Sequence, residues 1–230
     1  MSTKKKVGIL ISVVIICVTL FVGYLTIGYT YQEYRLKNEV NKLSVLDITK
    51  DKFNTKYVTL GDYRKVEKSI KEYLNEYASC MQEINSLVNN DKITKLLSYD
   101  NLNVDNYNDS IDYVNNSLDK INNDIDKLID LSEEESIRNY ILRYDLDKYY
   151  VDLYNDLMFS EEISSKFNIN RDYLLKYKEE INIKFSACSD VFKFLNENSD
   201  DNYSFEDGEI KFKTNELLDQ YNQYIELIKS

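Results

Sequence analysis

The chain has 230 residues and a formal charge of −11, with 21 tyrosines and no histidine, proline or tryptophan. Without histidine, the usual general base near neutral pH and the commonest zinc ligand are missing, which excludes histidine-based triads and histidine-bound metals. Setting aside Lys4, Lys5 and Lys6 leaves −14 for the rest, a charge that repels nucleic acid and anionic lipid, so no nucleic-acid partner is expected.

The first element follows that lysine cluster. Residues 7–31 carry no charge, and about 20 helical residues cross the ~30 Å hydrocarbon core of a bilayer. The sequence predicts a cytoplasmic tail at 1–6 and a single-pass transmembrane helix at 7–30. The domain that follows is expected on the outer side of the cell membrane, because basic residues before the span favour an inside N-terminus. A cleaved signal peptide is the alternative, but the run is long for one and no Ala-x-Ala site follows. Cys17 is preceded by Ile16 rather than a small residue, which argues against lipidation. Gly8-x-x-x-Ser12 and Thr19-x-x-x-Gly23 offer close-approach faces to a second copy of the helix, so a homo-oligomer is admitted.

Residues 31–61 read as a juxtamembrane stalk and connector. From 62 to 230 the pattern is that of a helical bundle. Over 62–89, Tyr63, Val66, Ile70, Tyr73, Tyr77, Cys80, Ile84 and Leu87 recur in steps of three and four, the mark of a helix with one buried face. A short helix is expected at 91–99. Val104, Tyr107, Ile111, Val114, Leu118, Ile121, Ile125 and Leu128 then alternate strictly in threes and fours, the seam of coiled-coil-like packing. Ser132 and Glu135 have the spacing of a capping box opening a helix over 133–159, where Tyr144, Tyr149, Tyr150 and Tyr154 suit a core or an interface edge. Asn170 is placed to cap a helix over 171–196, buried through Leu174, Tyr177, Ile181, Phe185, Cys188, Phe192 and Leu195.

The period changes at 203–212. Asp207-Gly208 favours a type I′ turn, which requires positive φ at both central residues. That turn sets Tyr203 opposite Phe212 and Phe205 opposite Ile210 on one face. Thr214 can then cap a last helix over 215–229. The whole is read as an all-α fold with one small hairpin, and the hairpin and last helix are expected to dock on the bundle. The segments LGDYRKVEKSIKEYL at 60–74 and DGEIKFKTNELLDQYNQYIELI at 207–228 resemble parts of Gram-positive single-pass membrane proteins of no known activity. That resemblance implies a helical extracytoplasmic domain behind an N-terminal anchor.

Cys80 and Cys188 are the two cysteines beyond the apolar run and form a candidate disulfide, with two buried thiols as the alternative. Asn101 to Asp105 has the opening of a calcium loop, but the central glycine and the twelfth-position glutamate are missing. No glycine-rich phosphate loop is present. No catalytic, cofactor-binding or metal-ligating set is identified, and no enzyme is expected. The expected function is a membrane-anchored interaction or scaffold module for a protein partner, such as an accessory subunit of an envelope or membrane complex. A small-ligand or cation sensor acting through a membrane partner is the alternative, and a carboxylate hydrolase ranks below both.

Overall fold

The computed structural model describes residues 3–90, 95–104, 106–167, 171–198 and 202–229; side chains at 3–17, 20–21, 24–26 and 166–167 stand outside that description. The chain is 75% helical with a two-stranded antiparallel sheet. Its elements are α1 (Thr3–Ser44), α2 (Gly61–Val88), α3 (Tyr99–Leu102), α4 (Asn108–Leu131), α5 (Glu134–Leu142), α6 (Lys148–Met158), α7 (Glu161–Phe167), α8 (Arg171–Glu197), β1 (Tyr203–Glu206), β2 (Glu209–Phe212) and α9 (Asn215–Lys229). Among the described residues no helix is long and apolar enough to cross a membrane. Most of the 7–30 run expected to span one lies outside the described side chains, as do Asn170 and residues 91–94.

Two compact units divide the chain. The first comprises residues 1–46, 52–74 and 138–166. Its core joins Leu36, Val40 and Leu43 of α1 to Val66, Ile70, Tyr73 and Leu74 of α2, with Tyr140, Ile141, Tyr154 and Met158 from α5 and α6. The expected stalk thus contributes to a core. Residues 32–44 continue the helix as expected, but they are packed rather than free, and the connector contributes the buried Phe53 and Thr59. The expected single helix over 133–159 breaks at residues 143–147. Asp145 and Asp147 favour caps and turns over helix interiors, and Asp147 occupies the N-cap of α6. The capping box is not formed. The Ser132 hydroxyl donates to the Leu128 and Ile129 carbonyls and closes α4 instead.

The second unit comprises residues 47–51, 75–137 and 167–230. Here α4 packs on α8. Asn122 with Asn182, Asp126 with Lys178 and Glu133 with Arg171 step equally in opposite directions, so the two helices run antiparallel. The seam holds through the buried Val114, Ile121, Ile125 and Leu128, but Ser117 replaces Leu118 in it. A straight helix drifts about 20° per heptad against a 3.5 repeat, which turns the earlier position inward. Val104 precedes the helix and is exposed, while Tyr107 folds back so that its hydroxyl donates to the Leu102 carbonyl. The hairpin has the expected register, with Tyr203 opposite Phe212 and Phe205 opposite Ile210. Asp207 and Gly208 take φ of 53° and 82°. The Thr214 hydroxyl accepts from the Leu217 amide at 3.3 Å, capping α9 as expected. α9 packs against α8, with Tyr224 against Phe194.

Candidate functional site

The first unit carries a buried charge cluster that the apolar periodicity of α2 does not announce. Glu67 and Lys71 lie one turn apart and are each about 1% exposed. The Lys71 ammonium donates to Glu67 at 2.7 Å, to Glu39 of α1 at 2.8 Å and to the Lys56 carbonyl at 2.6 Å. Glu67 in turn accepts from the Val58 and Thr59 amides and the Thr59 hydroxyl. Burial opposes ionisation of Glu67, but the bonds from Lys71, Thr59 and Val58 outweigh it and hold its carboxyl below the ordinary range. The cluster ties the end of α1, the connector and α2 together. Its donors and acceptors face one another, so its role is to position the surrounding elements.

Beside it stands a group of tyrosines. Tyr63 at the start of α2 packs edge-on against Tyr150 of α6 at 5.1 Å and lies 6.4 Å from both Tyr29 of α1 and Tyr149. Tyr149 packs edge-on against Tyr150 at 5.2 Å. The Tyr149 hydroxyl donates to Glu33 at 2.7 Å and lies 3.3 Å from that of Tyr63. Glu33 also pairs with Lys37 at 2.6 Å, and the bonds from Lys37 and Tyr149 keep its carboxyl below the ordinary range against a smaller opposing effect of burial. Burial, with the hydroxyl of Tyr63 and the carboxylate of Glu33 alongside, raises Tyr149 far above a free phenol. Burial also pushes Tyr150 up to about 12, helped by Tyr63, Tyr29, Asp62 and Asp147.

Two clefts flank this group. One, of about 330 Å³, is lined by Tyr29, Gln32, Asp62, Tyr63 and Tyr150, at the lower end of the ~300–1,000 Å³ typical of ligand pockets. The other, of about 270 Å³, is lined by Glu33, Lys37, Tyr149, Asp152 and Asp156. The site was only partly legible in the sequence. The crowding of Tyr149 and Tyr150 is visible there, but Tyr29 and Tyr63 join them only through tertiary packing.

Cys80 and Cys188 are free thiols. Cys80 of α2 shares a hydrogen bond with Asp124 of α4, and Glu76 pairs with Lys127, so α2 runs antiparallel to α4 and parallel to α8 within the second unit. The level of residue 124 falls near residue 180 on α8, by the register of the α4–α8 pairs. Cys188 lies about eight residues beyond, roughly 12 Å along the axis, whereas a disulfide needs Cα atoms within about 7 Å. The candidate bridge is therefore not made, and the alternative of two separate thiols holds. Burial pushes the Cys80 thiol up to about 11 and that of Cys188 up to about 12, which leaves both poorly reactive.

Of the calcium-loop opening, Asn101 spends its amide on the Lys95 carbonyl, and Asp105 lies outside the described residues. Among the described residues no three of Cys, Asp or Glu are grouped to hold a metal ion. No protein-family model, curated protein or solved structure is similar to this chain.

Proposed function

We propose that this chain is a membrane-anchored helical interaction protein, with its folded part held on the outer side of the membrane by α1 for a protein partner. The observation that supports this reading most is the change of environment along α1. Val18, Val22 and Ile27 are uncovered, whereas Leu36, Val40 and Leu43 farther along the same helix are buried. Uncovered large apolar side chains continuing an uncharged run are the expected state of a helix whose solvent there is lipid. Membrane fractionation with alkaline carbonate extraction, followed by protease treatment of intact cells, tests it. The expected outcome is a carbonate-resistant protein whose domain is digested from outside. A mature N-terminus within residues 24–32, or release by carbonate, overturns the anchor.

A second reading, a sensor for a small cation, is favoured by the tyrosine-lined clefts and the acids around them. Helical bundles hold such sites between facing helices.

A further inference from the structure

Tyrosine rings in the first unit are used repeatedly as seats for cations. Arg143 lies 4.0 Å from the ring centre of Tyr140, Arg64 and Lys71 lie 5.1 and 5.8 Å from that of Tyr57, and Lys68 lies 5.6 Å from that of Tyr144. The rings of Tyr29, Tyr63 and Tyr150 are different. They stand together on one 330 Å³ cleft, and among the described residues no lysine or arginine lies over any of them. Tyr63 and Tyr150 are nearly buried, and Tyr29, a little over half exposed, stands at the mouth. Such a group brings several aromatic rings, each negative on its face, to one space, and ring faces are what recognise methylated ammonium groups.

Carboxylates stand around the cleft. Asp62 lines it, and Asp62 and Asp147 both act on the Tyr150 hydroxyl. The start of α2 contributes about half a positive charge, and Lys65 pairs with Asp62 at 2.7 Å from an exposed position. Glu33 lies on the far side of Tyr149. Glu33 is paired with Lys37 and α6 also starts beside Tyr150, so the wider surroundings come close to neutral, and Asp62 is the carboxylate that lines the cleft itself.

We propose that the cleft of Tyr29, Tyr63 and Tyr150 binds a methylated ammonium group, carried by a free solute or by a lipid headgroup. The methyl groups lie against the rings and the charge is answered by Asp62. The proposal stands whether or not α1 crosses a membrane, because the cleft is built from described residues of one unit.

The test uses the full chain in nanodiscs of phosphatidylglycerol, titrated with choline and with its uncharged isostere 3,3-dimethylbutan-1-ol, and read by saturation-transfer NMR. Choline is expected to bind saturably and the isostere about tenfold more weakly, since it keeps the shape and loses the charge. Tyr29→Leu and Asp62→Asn are each expected to weaken choline about fivefold. Tyr29 is exposed enough for its variant to keep its fold, and an unchanged melting temperature checks this. Adding phosphatidylcholine to the nanodisc separates the sources: loss of the free-choline site assigns a headgroup, and its persistence assigns a solute. Equal binding of choline and the isostere, absence of saturable choline binding, or full affinity in the Tyr29 and Asp62 variants overturns the proposal. A failed anchor would instead appear in the carbonate extraction and leave the detergent-solubilised chain able to bind choline.

Discussion

Among the described residues, Lys71 is the one cation between two buried carboxylates of the first unit, Glu39 and Glu67. Lys71→Met would leave Glu39 and Glu67 buried without their shared cation, a change expected to cost about 3–5 kcal/mol in urea unfolding. The pH response should also reverse. In the native chain the Glu67 carboxyl is held below its unfolded value, so its stabilisation is present above the ordinary carboxylate pKa and lost as pH falls through the folded value. In Lys71→Met burial acts with less opposition, and lowering the pH from 7 to 5 should raise stability. A melting temperature that falls with acid equally in both proteins would refute this. The thiols work in the other direction. With folded values of about 11 and 12 for Cys80 and Cys188, the unfolded chain sheds these protons first. Stability is therefore expected to decline as pH rises from about 9 to 11, and Cys188→Ala should reduce that slope. Reductant at neutral pH should leave the melting temperature unchanged. The sequence shows Glu67 and Lys71 only as an ordinary exposed-looking pair one turn apart; Glu39 and the Lys56 carbonyl reach them by tertiary folding, which no periodicity encodes.

Among the elements, α4 is the one most readable from its spacing, because its burial comes from one seam against α8. Val114 and Ile121 are fully buried there. Val114→Asp and Ile121→Asp are each expected to lower stability by several kcal/mol, since each buries an unpaired charge. Unchanged melting of both would mean the seam is open to a partner. The reciprocal amide pair of Asn122 and Asn182, at 2.9 and 3.0 Å, fixes the register of these helices. It was not legible, because a polar residue beside a seam looks the same whether it meets water or its twin. The hairpin was legible because its turn chemistry is local. Gly208 sits at φ 82° with open space around its missing side chain, so Gly208→Val fails through backbone strain alone, about 1–2 kcal/mol. Limited proteolysis should then cut faster within residues 203–212. The helix over 133–159 was misread because nothing in it breaks the apolar pattern; the break falls at residues 143–147, where Asp145 and Asp147 are residue types that disfavour helix interiors.

At the scale of the whole molecule, the division of the chain departs most from its reading. The folded part was expected from residue 62, yet Leu36, Glu39, Val40 and Leu43 belong to the first unit's core. A fragment of residues 48–230 is therefore expected to melt well below one of residues 32–230. Burial of three aliphatic side chains at roughly 1.5–3 kcal/mol each is of the same order as the whole stability of about 5–15 kcal/mol that most domains have. Equal melting temperatures would restore the stalk.

The interleaving of the two units also governs how the chain matures on the ribosome. The first unit begins at the N-terminus but is completed only by residues 138–166, where Tyr140 packs on Tyr73 and the Tyr140 carbonyl accepts from Ser69. Between Leu74 and that closing segment, at about 5–20 residues per second, translation takes several seconds or more. Throughout that interval Val66, Ile70 and Tyr73 wait without their final neighbours. Any premature stop between residues 75 and 137 yields a polypeptide in which neither unit is finished, a product fit for proteolysis rather than for partial activity.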